Sequence, residues 1–520
     1  MTSDRDHTGG SSEAERTESG GAEDVHDIVG IGLGPFDLGL AALIEGHDEI
    51  DLDAIFLEQK PSFSWHEGML IEDATLEVPF LADVVTLADP TSPYSYLNYL
   101  EETDRLYEFY FYETFQTPRR EYDAYCRWVA ERLESPRFSR RVIDVRPVDH
   151  PTANFQVTAI RPDDVAAEDE VVSGTDRDVA GGNRTEPTSV DEPVDAARGT
   201  EREQFTYLTR DLVVGVGSKP FVPAEFRGFP DDSVFHTARY RYNRSNALDV
   251  DSIAVIGSGQ SAAEVFQDLL ARQPNHEYRL DWVTRSDGFF PMEYSKLGLQ
   301  HFAPEYVEYV TELPQPVRDD LIPEQELLYK GIDPDTSDEI YEELYRRSVG
   351  GDRPDVGLIA MTEVRDIDRT EAGRYRLDCR QWQSETTFSF EPSVVILGTG
   401  YHRPTPPFLD GIDQRIHRDD RGRLEITREY TLKTDLDGTV FVQNAGLHTH
   451  GVGTPDLGLG TYRNVVILDQ LLEESPYSIP TDTVYQDFSP ASFVRNAPGG
   501  SLGGTEPLER MSDSDRPTGE

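Results

Sequence analysis

Cysteine is almost missing from this chain of 520 residues: only Cys126 and Cys379 occur, far apart. That excludes a disulfide framework and a cysteine-built metal centre. Lysine is nearly as scarce, at Lys60, Lys219, Lys296, Lys330 and Lys433, so arginine supplies most of the positive charge. No apolar run reaches the roughly 20 residues a membrane-spanning helix requires. No charged-then-apolar leader opens the sequence, and a soluble, cytoplasmic protein is expected. Bases are outnumbered by acids 48 to 98, for a formal charge of −50 and a pI near 4.5. Such a surface repels nucleic acid and anionic membranes, so neither is expected as a partner. The acid excess runs through a body that still carries aromatics and aliphatics. This suits a halophilic protein, in which screening over about 3 Å removes self-repulsion at molar salt. An acidic mesophilic protein with acidic tails is the alternative, and the spread of charge favours the halophile.

The length allows two or three domains with real cores. Residues 1–23 are rich in Ser, Thr, Gly and acids and read as a disordered acidic tail. Residues 163–203 lose hydrophobic periodicity and read as a solvated acidic insertion between strands. Residues 476–520 read as a C-terminal tail.

Between these lies the stretch Asp27-Ile28-Val29-Gly30-Ile31-Gly32-Leu33-Gly34-Pro35-Phe36-Asp37-Leu38. A bounded apolar strand breaks into glycines and resumes as a helix. Glycines there let the backbone approach a pyrophosphate, whose charge rests on the following helix N-terminus. Pro35 stands where the usual third glycine would, and taken alone the loop also fits a plain tight turn. A second strand, Ala54 to Leu57, ends in Glu58, a carboxylate placed to bind ribose hydroxyls.

The pattern recurs about 225 residues later. Ile253 to Ile256 is followed by Gly257-Ser258-Gly259-Gln260-Ser261-Ala262 and a helical run. The next strand, Leu280 to Thr284, ends in Arg285 instead of an acid, which suits a 2′-phosphate and predicts NADPH over NADH. Two such loops, the second nested inside the first unit, imply a flavin domain interrupted by a nicotinamide domain. The expected fold is therefore α/β with two Rossmann-like dinucleotide-binding domains and a small helical substrate region. The FAD domain would occupy 24–250 and 391–475, and the NADPH domain 251–390, with the helical region at about 299–349. Within it, Asp338 to Arg347 reads as a helix capped by Ser337, and a later helix is read at 461–473. His448 and His450 lack the remainder of a ligand set, so no metal is expected.

Several further motifs are specific. They include Trp65-His66, Phe80-Leu81-x-Asp83, Asp89-Pro90-Thr91-Ser92-Pro93-Tyr94, Arg119-Arg120-Glu121-Tyr122, Gly288-Phe289-Phe290-Pro291, Gly398-Thr399-Gly400-Tyr401 and Gln443-Asn444-Ala445-Gly446-x-His448-Thr449-His450-Gly451. Together with both glycine loops, they resemble the lysine/ornithine N-monooxygenases, flavin enzymes that hydroxylate terminal amines for hydroxamate siderophores. The resemblance spans about residues 25 to 475. It implies that NADPH reduces bound FAD, that dioxygen forms a C4a-hydroperoxyflavin, and that a neutral amine attacks its distal oxygen. A free alkyl amine has a pKa of about 10.4, so the site must favour its uncharged form. No side chain is assigned as catalytic, because the flavin carries the chemistry. By the same resemblance Gly30, Gly32, Gly34, Pro35, Glu58, Trp65 and His66 would contact FAD. Gly257, Gly259, Gln260, Ser261 and Arg285 would contact NADPH, with Lys219 as a second candidate for its phosphate. A homotetramer is also implied.

The chain departs from the family at two substrate positions. In the ornithine enzymes a lysine follows the Phe-Leu pair and holds the substrate carboxylate; here Ala82 stands there. An asparagine that meets the amino-acid end falls near Leu299 and is likewise missing. A buried carboxylate without its cation costs several kcal/mol. A diamine such as putrescine, cadaverine or 1,3-diaminopropane carries no carboxylate, and its distal ammonium can use an acid. Diamine N-hydroxylation is thus expected. The competing reading keeps L-lysine or L-ornithine as substrate, with Lys330 or an arginine replacing the lost anchor. Readings outside the class are weaker. A disulfide oxidoreductase needs a redox cysteine pair, and a flavin sensor needs no NADPH loop. Baeyer–Villiger monooxygenases share the two-loop plan, and amine-dependent hydroxylamine formation separates them.

Overall fold

The computed structural model describes residues 24–162, 203–351, 353–478, 482–498 and 500–503. The expected N-terminal tail, nearly all of the acidic insertion and the last residues of the chain lie outside that set.

Two parallel sheets carry the two glycine loops. In the first, strands Pro136–Arg137, Ala54–Leu57, Val25–Ile31 and Gln204–Val214 lie side by side, with Val440–Val442 against the last turn of Gln204–Val214. The hairpin Arg141–Pro147 and Phe155–Ile160 extends this sheet antiparallel. Helix Pro35–Glu45 covers one face. Its Leu38, Leu40, Ala41, Leu43 and Ile44 are buried, and Pro35 opens it because the first helical position needs no amide donor. The second sheet runs Val234–His236, Val394–Leu397, Ser252–Ile256, Arg279–Val283 and Val356–Ile359, all parallel. Helix Gln260–Arg272 covers one face, and an antiparallel meander, Thr362–Arg369, Tyr375–Gln381 and Thr386–Phe390, covers the other.

This pairing corrects the expected boundaries. Val394–Leu397 was assigned by sequence to the second part of the first unit, and Val234–His236 to its first part. Both sit in the second sheet, joined at Val395↔Val234 and Val395↔Ala254. A strand buried on both faces reads as a continuous apolar run, which carries no mark of the sheet it enters. The chain passes between the two halves at a small antiparallel pair, Lys219–Pro220 against Tyr401–His402, and these crossings are the boundaries.

Three elements also shift. The helix expected over 338–347 runs Pro334–Ser348, and Asp333, not Ser337, caps it by accepting from the amides of Asp335 and Thr336. The late helix is Gly458–Leu471. The described part of the expected C-terminal tail is not a free tail. Phe488 packs on His301 and Tyr306, Thr483 bonds Glu305, and helix Pro490–Asn496 follows. Tyr477 anchors it as well, buried in the first core with its hydroxyl donating to the Leu43 carbonyl; sequence alone obscured this because the segment is mostly polar.

Candidate active site

The two glycine loops are built alike. Gly32 has φ +103°, and a Cβ there would lie 2.5 Å from the Gly215 carbonyl of the neighbouring strand's extension. Gly257 has φ +122°, and its Cβ would lie 2.1 Å from the Gly398 carbonyl. Each loop is thus pressed onto the strand beside it, with Gly215 N–H donating to Ile31 and Gly398 N–H to Ile256. Gly30 is packed similarly, against the Phe56 ring. The loops then turn outward. Gly34 and Gly259 each precede their helix in extended conformation, and a Cβ at either would meet nothing within 4 Å. Open space above a helix N-terminus with unpaired amides is the cradle a pyrophosphate fills.

Glu58 stands at the end of its strand, as the sequence reading requires. Its two oxygens accept from the amides of Leu33 at 3.0 Å and Lys60 at 2.9 Å, which fixes the carboxylate beside the first loop. The rings of Trp65 and His66 meet edge-on, centroids 4.8 Å apart, with Trp65 also 5.2 Å from Tyr122. His66 is exposed, with its ring edge-on to Trp65 and to Tyr401 at 6.2 Å. Desolvation first, then Arg119 and Lys60, lowers its pKa to about 4, so it is a neutral donor or acceptor at working pH.

In the second half, Gln260 and Ser261 open the helix. Gln260 is engaged internally: its amide nitrogen donates to Glu264 and Thr336, and its oxygen accepts from Asp333 N–H at 2.7 Å. Arg285 is exposed at the end of its strand with no carboxylate partner among the described residues, and Trp382 donates to its carbonyl. Lys219 is exposed on the crossing strand, paired with His402.

Ala82 is buried, 6 % exposed. A Cβ on Gly458, at the start of helix Gly458–Leu471, would lie 3.7 Å from the Ala82 methyl and 3.1 Å from Asp456 Oδ1. Leu457 and Gly460 border a small enclosed space together with Pro35, Phe36, Val84 and Tyr122, so this helix start joins the first glycine loop to the Ala82 segment. Leu299 is half-buried in a short helical turn, Gly298–Phe302, whose neighbour Tyr294 donates its hydroxyl to the Glu77 carbonyl. The loops bearing Ala82 and Leu299 are thereby tied together. Lys330 is not brought to them. It is exposed, bonded to Glu326 and set beside the Tyr329 ring, so it is no replacement for a lost anchor. His448 and His450 serve the scaffold: each ring bonds a backbone carbonyl, of Leu424 and Arg428, and His450 stacks on Tyr430 at 4.1 Å.

Residues the sequence reading did not single out join the two halves. Arg119 makes a bidentate pair with Glu264, at 2.7 and 2.6 Å, across the cleft. Glu264 is buried, yet its neighbours on the same helix face, Gln260, Ser261, Gln267 and Asp268, are polar, so the helical pattern gave no signal of its burial. Glu77 is the third member. Desolvation, then Glu264, raises its pKa to about 7 against the pull of Arg119. A carboxyl whose folded pKa exceeds its unfolded value holds its proton better in the fold. Its ionisation therefore erodes stability as pH rises from about 4.5 to 7. Glu77→Gln should stabilise the protein by about 1–3 kcal/mol above pH 7, with no gain below about pH 4.5. Thermal denaturation across that range measures it, and a pH-independent difference would contradict the assignment.

Residues 24–179 and 185–403 match the family described as L-lysine 6-monooxygenase/L-ornithine 5-monooxygenase. The chain is 39 % identical over 470 residues to a putrescine N-hydroxylase of Shewanella oneidensis, covering 90 % of this chain and 85 % of that one. It is 37 % identical to the rhizobactin siderophore biosynthesis protein RhbE of Rhizobium meliloti, covering 89 % and 94 %. Among solved structures, it superposes with a TM-score of 0.78 and 37 % identity on DfoA bound to FAD, the cadaverine monooxygenase of desferrioxamine biosynthesis from Erwinia amylovora. That match covers 90 % of this chain and 99 % of the other.

Proposed function

The chain belongs to the L-lysine 6-monooxygenase/L-ornithine 5-monooxygenase family, and within it we propose that this member N-hydroxylates one terminal amine of a diamine. Putrescine, cadaverine and 1,3-diaminopropane are the candidate substrates, and a hydroxamate siderophore is the destination. The carrying observation is the buried Ala82 methyl at the position where a carboxylate-holding lysine would stand. The names of the Shewanella and Erwinia relatives support the same substrate class.

The residues present fit FAD at the first loop and NADPH at the second. Gly32 and Gly34 with the helix N-terminus would hold the FAD pyrophosphate, and the fixed Glu58 carboxylate its ribose. Gly257, Gly259 and the exposed Arg285 would hold NADPH, with Arg285 toward the 2′-phosphate. When bound, the two cofactors supply reducing equivalents and activate dioxygen. The chain's own task is to position the amine, exclude water and favour the neutral amine over the ammonium. Trp65 and Tyr122 wall the site with apolar surface. Desolvation there lowers the pKa of an entering amine, which frees the lone pair that must attack. The charge of −50 supports a salt-rich cytoplasm as the setting.

Product formation tests the reading. In molar KCl with FAD and NADPH, the diamines should give hydroxylamine and lysine and ornithine should not. Product from lysine or ornithine alone would overturn the reading of Ala82, while NADPH oxidation to peroxide with every amine would overturn the diamine reading itself.

A further inference from the structure

Three acids border the segment that carries Ala82, and two are already engaged. Asp83 is buried, and its oxygens accept from the amides of Val85, Thr86 and Tyr96 and from the Thr86 hydroxyl. Glu77 faces Arg119 and the Glu264 pair. Asp456 differs. It belongs to the turn before helix Gly458–Leu471, and its Oδ1 accepts from Leu459 N–H at 3.0 Å. No cation forms an ion pair with it among the described residues. The nearest basic group, Arg463, spends its guanidinium on Gln443 and the Thr454 carbonyl. Burial raises the Asp456 pKa to about 6, so at neutral pH it is a largely ionised, poorly solvated carboxylate without a counter-charge.

Its surroundings say what would supply that charge. Gly458 marks how near the two lie: a Cβ there would stand 3.1 Å from Asp456 Oδ1, 3.6 Å from Leu87 and 3.7 Å from the Ala82 methyl, so carboxylate and methyl flank the same point. Leu457, between Asp456 and Gly458, lines the space shared with Pro35 and Phe36 of the first glycine loop. The methyl of Ala82 brings no positive charge to this carboxylate. Backbone amides hold the carboxylate without neutralising it, and a ligand's own ammonium can supply the missing counter-charge. We propose that Asp456 is the specificity residue of this enzyme, contacting the distal ammonium of the diamine while the other amine reacts. The assignment rests on the diamine reading above and names the acid that reading requires. It also explains the polarity of the site: an amino acid would bring its carboxylate toward Asp456, where like charges repel.

The test compares each diamine with the monoamine of equal length, which lacks only the distal ammonium. In molar KCl with FAD and NADPH, the wild-type protein should prefer putrescine over n-butylamine, and cadaverine over n-pentylamine, by about 100-fold in kcat/KM. Asp456→Asn should reduce that ratio to about threefold or less, carried by KM of the diamine. Asp456→Glu keeps the charge one methylene further out, so it should retain the ratio and move the optimum to a shorter diamine. That second variant keeps the idea testable if the first binds FAD poorly. A ratio preserved in Asp456→Asn, or an equal loss for both amines through kcat, overturns the assignment of Asp456 and leaves diamine hydroxylation standing. A wild-type protein that accepts lysine or ornithine and no diamine removes the reaction reading, and Asp456 falls with it.

Discussion

Arg119→Ala should destabilise the protein by about 3–5 kcal/mol, the cost of stranding a buried carboxylate. Glu264 is only 4 % exposed at its side chain, and both of its oxygens are taken by the Arg119 guanidinium. The same guanidinium also meets the Met69 carbonyl at 3.3 Å, and the Arg119 amide donates to Ala74. One side chain therefore ties the cleft wall of the first half to the helix that follows the second glycine loop. Losing it should loosen the relative placement of the two halves and raise KM for NADPH along with the stability loss. Glu264→Gln keeps the volume and some hydrogen bonds, so its cost should be smaller. The double variant Arg119→Met with Glu264→Leu removes both charges and should recover most of the loss. Denaturant titration of the four proteins in molar KCl separates these. Additive single-variant losses in the double variant would show that the pair does not act as a unit.

Much of this site was legible in the sequence, and what was hidden has physical causes. Both strand–glycine–helix loops, with Glu58 and Arg285 at the ends of the next strands, could be placed because close backbone approach demands particular residues at fixed spacing. The nesting of one nucleotide unit in the other followed from order alone. Strand membership did not. Val394–Leu397 is as apolar as any core strand of the first sheet, and only pairing with Val234–His236 and Ser252–Ile256 reveals where it belongs. Long-range polar partners were equally invisible. Nothing local in the sequence joins Arg119 to Glu264, since the pair is made by folding distant segments onto one another. The motif positions were also read too generously in one respect. Gln260 sits in the second loop, yet the structure spends its amide on Glu264, Thr336 and Asp333, so its role includes bracing the loop.

Alanine substitutions at Gly32 and Gly34 should fail in opposite ways, although the two glycines lie two residues apart in the same loop. Gly32 has φ +103°, and its Cβ would press to 2.5 Å from a backbone carbonyl that cannot rotate away. Both the strained conformation and the clash act on the folded chain itself, so Gly32→Ala should cost about 3 kcal/mol or more in stability. Gly34 has ordinary extended angles and an open surround, so Gly34→Ala should leave the melting temperature of the FAD-free protein nearly unchanged. Its methyl projects into the space above the helix N-terminus instead. There it displaces a pyrophosphate from the amides that would hold it, and a loss of about 100-fold in FAD affinity is expected, near 3 kcal/mol. Flavin fluorescence titration and thermal denaturation, run on both variants, give the two readouts. The pattern would be contradicted by Gly34→Ala binding FAD as tightly as the parent, because the open space would then not be where the pyrophosphate lies. It would be contradicted equally by Gly32→Ala folding with parental stability, because the contact with Gly215 would then be too loose to set the loop. Stability lost at one glycine and ligand lost at the other is the signature of a loop whose inner side is packed and whose outer side is kept clear for phosphate.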